Sequence, residues 1–346
     1  MKILVRGTNW IGDAVMTIPA MRELRRVFPD AHIALHTRSW AEGIFRDADF
    51  IDEIIAFDKE SGLNEIVGET KRIGHRHFDL GIIFPNSYRS AALAKIANIK
   101  RRFGYAKEGR RFLLTDPVRI PEWKNSRHEV FYYLNLIAEA EQRMLGTNTV
   151  TEREPDISLN ISDERRTDAR ILLENAGCDM SKPLIGFGPG STNSMAKRWP
   201  AKNFAALADM LTNDQKANII LMGSSSEKDV AENVSRLAET PVFDLSGATT
   251  LAEAAAILAE MDMFISNDMG LAHLAAAAGT PVYVLFGPTD PVTTRPFAEN
   301  ATVIREPVEC SPCMLRDCPI DHRCMTRMTP ERVFDMVIDR PREKGR

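Results

Sequence analysis

Short continuous apolar runs alternate along this chain with longer stretches in which apolar positions recur at helical spacing. The first run, Lys2–Arg6, predicts a strand. A helical pattern follows through Ala14, Val15, Ile18, Met21, Leu24 and Val27 and stops at Pro29. Pro19 falls inside it and predicts a kink or a late start. Further strands are predicted at 32–36, 54–57, 79–84 and 102–105, with helical stretches between several of them. That alternation is the pattern of a doubly wound α/β domain. A change of register at 155–163 (PDISLNISD) predicts the interdomain connection, giving domains 1–160 and 161–346. Beyond it, strands are predicted at 184–187, 218–222, 242–245, 262–266 and 282–286.

The stretch 262–291 organises the second half. Asn267 and Asp268 are expected to cap a small-residue helix over 269–278, which Gly279 and Pro281 end. Strand, turn and helix head in that order form an anion site, because the first-turn N–H groups are unpaired and the helix dipole is positive there. Gly270 removes a side chain where a phosphate or sugar would approach. On spacing alone Asp268 reads equally as a plain cap, and His273 as a satisfied core histidine. In the first half, the loop GTNWIGD after the first strand does not match G-x-G-x-x-G, which argues against a nicotinamide-binding turn.

Composition adds bounds. The chain has 346 residues, 44% hydrophobic and 27% charged, an ordinary globular balance that suits two domains. No apolar run approaches the ~20 residues of a membrane span. The first residues enter a strand directly, with no signal-like region, so a cytoplasmic protein is expected. Net charge is −4, with residues 1–150 basic and the remainder acidic. Four of the five cysteines crowd together as C-x2-C-x4-C-x5-C: Cys310, Cys313, Cys318 and Cys324, with His322 between the last two. They are a candidate structural metal site, the alternative being reduced or loosely paired thiols in a capping loop.

Read together, GPGSTNSMAKRWP (188–200), LMGSSSEKD and ISNDMGLAHLAAAAGTPVYVLFGPTDP resemble the donor domain of the ADP-heptose:lipopolysaccharide heptosyltransferases, glycosyltransferase family nine. RGTNWIGDAVMTIPAMREL resembles that family's N-terminal loop, and FPNSYRSAALAKIA with RRFGY resembles its heptosyltransferase II branch. The resemblance covers essentially the whole chain. It implies a GT-B fold, two Rossmann-like domains facing a central cleft, and inverting transfer of L-glycero-D-manno-heptose from ADP-heptose to the lipopolysaccharide inner core. No cofactor is required by such a reaction.

By the same resemblance Asp13 is the general base, and Lys197 places a point charge near the leaving diphosphate. Without it, an N-cap aspartate and a solvated lysine are the plain readings. Ser191, Thr192 and Asn193 are implied to donate hydrogen bonds to the donor, Asp268 to hold sugar hydroxyls, and Met269 and Gly270 to offer main-chain N–H groups, with His273 one turn further. Thr249 to Leu251 are implied to line the adenine or ribose pocket. The chain departs from the family's frequent D-S/T-G at Met269, which loses a hydroxyl.

The acceptor is expected to be lipid-linked inner core, met by peripheral contact with the inner membrane leaflet, and no nucleic acid is expected. Seven basic residues between Lys95 and Arg111, interrupted only by Glu108, suit an anionic surface. Arg72, Arg101, Arg102, Arg110 and Arg111 are the acceptor-binding candidates, against the plain reading of a solvated face. Alternatives are heptosyltransferase I or another core heptosyltransferase, a GT-B sugar-nucleotide epimerase, and a non-catalytic sugar-nucleotide-binding module. The epimerase leaves the basic cluster and Asp13 unexplained, and the binding module has no use for Asp13.

Overall fold

The computed structural model describes residues 1–58 and 63–339. The chain divides into two compact units, Met1–Leu159 and Asn160 onward. Each is built on one six-stranded, wholly parallel sheet.

In the first unit the strands are β1 (Lys2–Arg6), β2 (His32–Arg38), β3 (Glu53–Phe57), β4 (Leu80–Ile83), β5 (Arg101–Tyr105) and β6 (Asp116–Val118), in the order β3-β2-β1-β4-β5-β6. In the second they are β7 (Leu184–Gly188), β8 (Asn218–Leu221), β9 (Val242–Asp244), β10 (Met263–Asn267), β11 (Val282–Phe286) and β12 (Ala301–Arg305), in the order β12-β11-β10-β7-β8-β9. Read from the other edge, the second sheet repeats the first. Both therefore have a topological switch point, between β1 and β4 and between β7 and β10, where doubly wound folds bind ligands at the strands' carboxyl ends.

The central strands β7, β10 and β11 are buried along their whole length, as a parallel sheet covered on both faces requires. Beneath the first sheet, Leu4, Ala34, Ile55, Ile73, Ile83 and Ala94 join one buried cluster. In the second, Phe187, Trp199, Phe204, Ile219 and Leu285 belong to another. Sequence reasoning missed both edge strands at the β6 and β12 positions. β6 has three residues with Pro117 in the middle, too short to show a period, and β12 is only partly buried. The Pro19 question resolves into two helices, Ile11–Met16 and Ile18–Val27, with Pro19 in the first turn of the second, where its missing N–H costs nothing. No helix among the described residues is long and apolar enough to cross a membrane.

Candidate active site

The loop after β1 runs directly into helix Ile11–Met16. Trp10, with extended backbone, occupies the cap position, and Asp13 lies in the first turn. The Asp13 carboxylate is engaged from across the unit: Tyr133 Oη donates to its Oδ1 at 3.2 Å. Tyr133 comes from helix Glu129–Leu145 and is locked edge-on against Phe84, with ring centroids 5.3 Å apart. Burial, and then the Asp13 charge, hold the Tyr133 phenol well above its ordinary pKa, so it stays a donor.

Asp13 opens into a pocket of about 300 Å³ at the carboxyl ends of β1, β4 and β5. Thr8, Trp10, Asn86, Glu108, Glu129 and Tyr133 are among its walls. Its far side is braced by Arg110. That side chain is fully buried and donates to the carbonyls of Pro85, Ser87 (3.2 Å) and Tyr105 (2.9 Å), to Ser90 Oγ (3.3 Å) and to Asn86 Oδ1 (3.4 Å). Burial lowers its pKa to about 10, which leaves it charged at neutral pH.

At the switch point of the second unit, Lys197 Nζ lies 2.7 Å from Asp268 Oδ2, and Thr289 Oγ1 donates to the same oxygen at 2.6 Å. Asp268 is buried, so its charge needs this partner. It is not the helix cap that its position suggests: helix Gly270–Ala277 is capped by Met269, with no side-chain cap bond. The Met269 side chain instead lies against Gly188, where a Cβ would come within 2.7 Å of its sulfur. The loop bearing Lys197 is stapled to β10 by buried Asn267, whose Oδ1 accepts from Trp199 N (2.9 Å) and whose Nδ2 donates to Pro189 O (2.8 Å) and Gly190 O (3.2 Å). From the other side Arg316 O accepts from Ala196 N (2.9 Å) and Ser194 Oγ (3.0 Å), and His322 Nε2 lies 2.7 Å from Ala196 O.

The structure thus brings Lys197, Asp268, Met269 and Gly270 together. Thr192 and Asn193 are exposed on the same loop, and Ser191 is buried with its carbonyl held by Arg198 (3.1 Å). His273 is buried one turn along the helix. Thr250 caps the helix Leu251–Glu260 in a capping box with Glu253.

The basic candidates do not form one free face. Arg101 pairs with Asp116, Arg102 donates to Leu113 O (2.8 Å) and Ile99 O (2.5 Å), and Arg72 bonds Glu69 (2.9 Å) and Ala56 O (2.8 Å). Arg110 is spent on the carbonyls named above; Arg111 is exposed, and so is Arg72 although it pairs with Glu69. A run of charges in sequence cannot tell a solvated guanidinium from one that closes a loop. The four clustered cysteines are free thiols, and no three His, Cys, Asp or Glu side chains among the described residues are arranged to hold a metal. Burial, with the neighbouring Cys310, Cys318 and Cys313, raises the Cys324 thiol to about 11.

Four contributors escaped the sequence reading: Tyr133, Thr289, Glu227 and Ser246. Glu227 is buried after β8 in a capping box with Ser224, and its Oε1 has no partner among the described residues. It presses on Gly190, where any Cβ would collide with that oxygen. Ser246 Oγ, also buried and without a partner among the described residues, lies beside Gly223, as Glu227 does. The available signal was the stretch GSSSEKD itself: an acid at the end of the second strand of a doubly wound unit is placed for a ribose.

The profile of Glycosyltransferase family 9 (heptosyltransferase) matches residues 69–323, and the chain belongs to that family. It is a glycosyltransferase. The lipopolysaccharide heptosyltransferase 2 of Salmonella typhimurium is 29% identical over 100% of both chains. The lipooligosaccharide heptosyltransferase 2 of Haemophilus influenzae is 30% identical over 88% of each. Among solved structures, E. coli ADP-heptose lps heptosyltransferase II superposes with a TM-score of 0.82 at 26% identity, over 98% of both chains, and the fold is GT-B.

Proposed function

We propose that this enzyme transfers L-glycero-D-manno-heptose from ADP-heptose to a heptose of the lipopolysaccharide inner core, with inversion. What carries this reading is the chemistry at the two switch points of a chain alike to those proteins along its whole length. One switch point offers a carboxylate to a hydroxyl, the other a lysine and a helix head to a diphosphate. Asp13 takes the proton from the acceptor hydroxyl as that oxygen attacks the anomeric carbon, and ADP departs from the opposite face. Tyr133 holds the carboxylate in place.

Lys197 and the N–H groups at Met269 and Gly270 stabilise the charge that grows on the leaving diphosphate. Asp268 fixes Lys197 and contacts donor hydroxyls, and Ser191, Thr192 and Asn193 close the loop around the phosphates. Glu227 Oε1 and Ser246 Oγ, which have no partners among the described residues, take the ribose hydroxyls, the carboxylate oxygen as acceptor. The acceptor is lipid-borne, so contact with the inner leaflet from the cytoplasmic side is peripheral, with exposed Arg111 and Lys107 available to anionic headgroups. Purified protein given ADP-heptose and a heptose-terminated core acceptor should release ADP and add one heptose mass to the acceptor. ADP release without acceptor gain would overturn the proposal.

A further inference from the structure

The short turn Arg110–Leu113 is pinned at both ends. Arg110 is fully buried, with its donors on the acceptors named above, and Leu113 is buried as well. Between them Arg111 and Phe112 are exposed, Phe112 by 64%. Beside the turn runs the helix Tyr88–Ile96, on which positions 88, 92, 95 and 96 share one face at helical spacing. Tyr88 is exposed by 48% and Ile96 by 71%. The Tyr88 and Phe112 ring centroids lie 6.0 Å apart, and Lys95 Nζ lies 5.8 Å from the Phe112 centroid. Lys107, whose carbonyl accepts from Arg110 N at 3.2 Å, is exposed too.

A single exposed apolar side chain is ordinary, but here three large ones adjoin three cations. Lys95, Lys107 and Arg111 have no ion pair among the described residues, and Glu108 is the one acid in that stretch. Apolar groups ringed by unpaired cations complement an anionic bilayer twice over, through its acyl boundary and through its headgroups. Tyr88 suits the level between, with an apolar ring and a polar tip. The face also continues from the mouth of the Asp13 pocket, since Ser87, which caps this helix, and Glu108 both line that pocket.

We infer that Phe112, Tyr88 and Ile96 enter an anionic bilayer as an apolar wedge, with Lys95, Lys107 and Arg111 on the headgroups around them. The inference rests on the reading of the acceptor as lipid-borne and goes beyond it, because contact by insertion outlasts salt whereas contact by charge alone does not. Arg110 ties the turn to the Pro85–Ser87 loop. A wedge seated in the bilayer therefore also sets the height of the pocket mouth above it.

Vesicles of phosphatidylethanolamine and phosphatidylglycerol, with no acceptor present, test this. The full-length protein should co-sediment with them, and Phe112→Ser should weaken binding about tenfold. At about 1 M salt, which screens charges beyond ~3 Å, wild type should keep part of its binding and Phe112→Ser should lose it. Phe112→Trp adds a reporter whose emission, taken as the difference from wild type, should shift to the blue and be quenched by lipids brominated on the acyl chain. Wild-type binding that salt abolishes, or added emission that brominated chains leave unquenched, would overturn the insertion. So would a wild-type dimer that Phe112→Ser turns monomeric without vesicle binding, which would give the face to a second copy of the chain. Salt-resistant binding by a protein that transfers no heptose would leave the wedge standing and remove only the proposed transfer. Heptose transfer to a soluble acceptor with no vesicle binding would do the reverse.

Discussion

At the mouth of β1 and β4 the first unit gathers carboxylates around a hydroxyl-lined hollow. At the corresponding mouth of β7 and β10 the second gathers a lysine, glycines and a helix head. The strand order is the same in both, so topology supplies the location and nothing more. What separates the two is how each acid is used. Asp268 is buried and paired with Lys197, which makes it a fixture for a cation, whereas Asp13 accepts from a neutral phenol and, in the proposed reaction, takes the acceptor's proton. One sheet arrangement, used twice, can hold a nucleophile's activator and a leaving group's counter-charge because the side chains on one loop are exchanged.

The sharpest way to break this contrast is Asp13→Asn. It keeps volume and removes the proton acceptor, so kcat should fall by about 10² or more while ADP binding measured by calorimetry stays intact. Near wild-type turnover would reduce Asp13 to a helix-turn residue. Lys197→Ala comes next, weakening both ADP affinity and kcat by roughly tenfold or more. It also strands the buried Asp268 charge, so the melting temperature should drop and partly recover in the Lys197→Ala/Asp268→Asn double variant while activity does not. A double variant no more stable than the single would mean that Asp268 does not depend on Lys197. Smallest is Tyr133→Phe, a several-fold loss in kcat. A hydrogen bond to an ionised carboxylate favours the ionised form, so its removal raises the base's pKa and moves the acid limb of the kcat/KM profile to higher pH. An unmoved limb would leave Tyr133 a packing residue only.

Local pattern exposed the parts of this molecule that are local. Ten of the twelve parallel strands showed as apolar runs, and the loops holding Asp13 and Lys197 showed as polar, glycine-bearing interruptions between strand and helix. The partners were not legible, because they arrive from far along the chain. Tyr133 lies 120 residues after Asp13, and Thr289 reaches Asp268 from the loop after β11. Arg110 illustrates the reverse error. Its charge is plain in the sequence, but its use as a buried brace depends on five acceptors brought to it only by folding.

The hold of Arg316 and His322 on the backbone at Ser194 and Ala196 sets a schedule for synthesis. A nascent chain that has left the ribosome as far as Phe286 already owns Lys197, Asp268 and the helix between β10 and β11. It still lacks the segment whose carbonyl and imidazole shape the lysine's loop. The proposed nucleotide site is thus among the last features to mature, and a chain arrested before residue 316 would carry its residues without the frame that aims them.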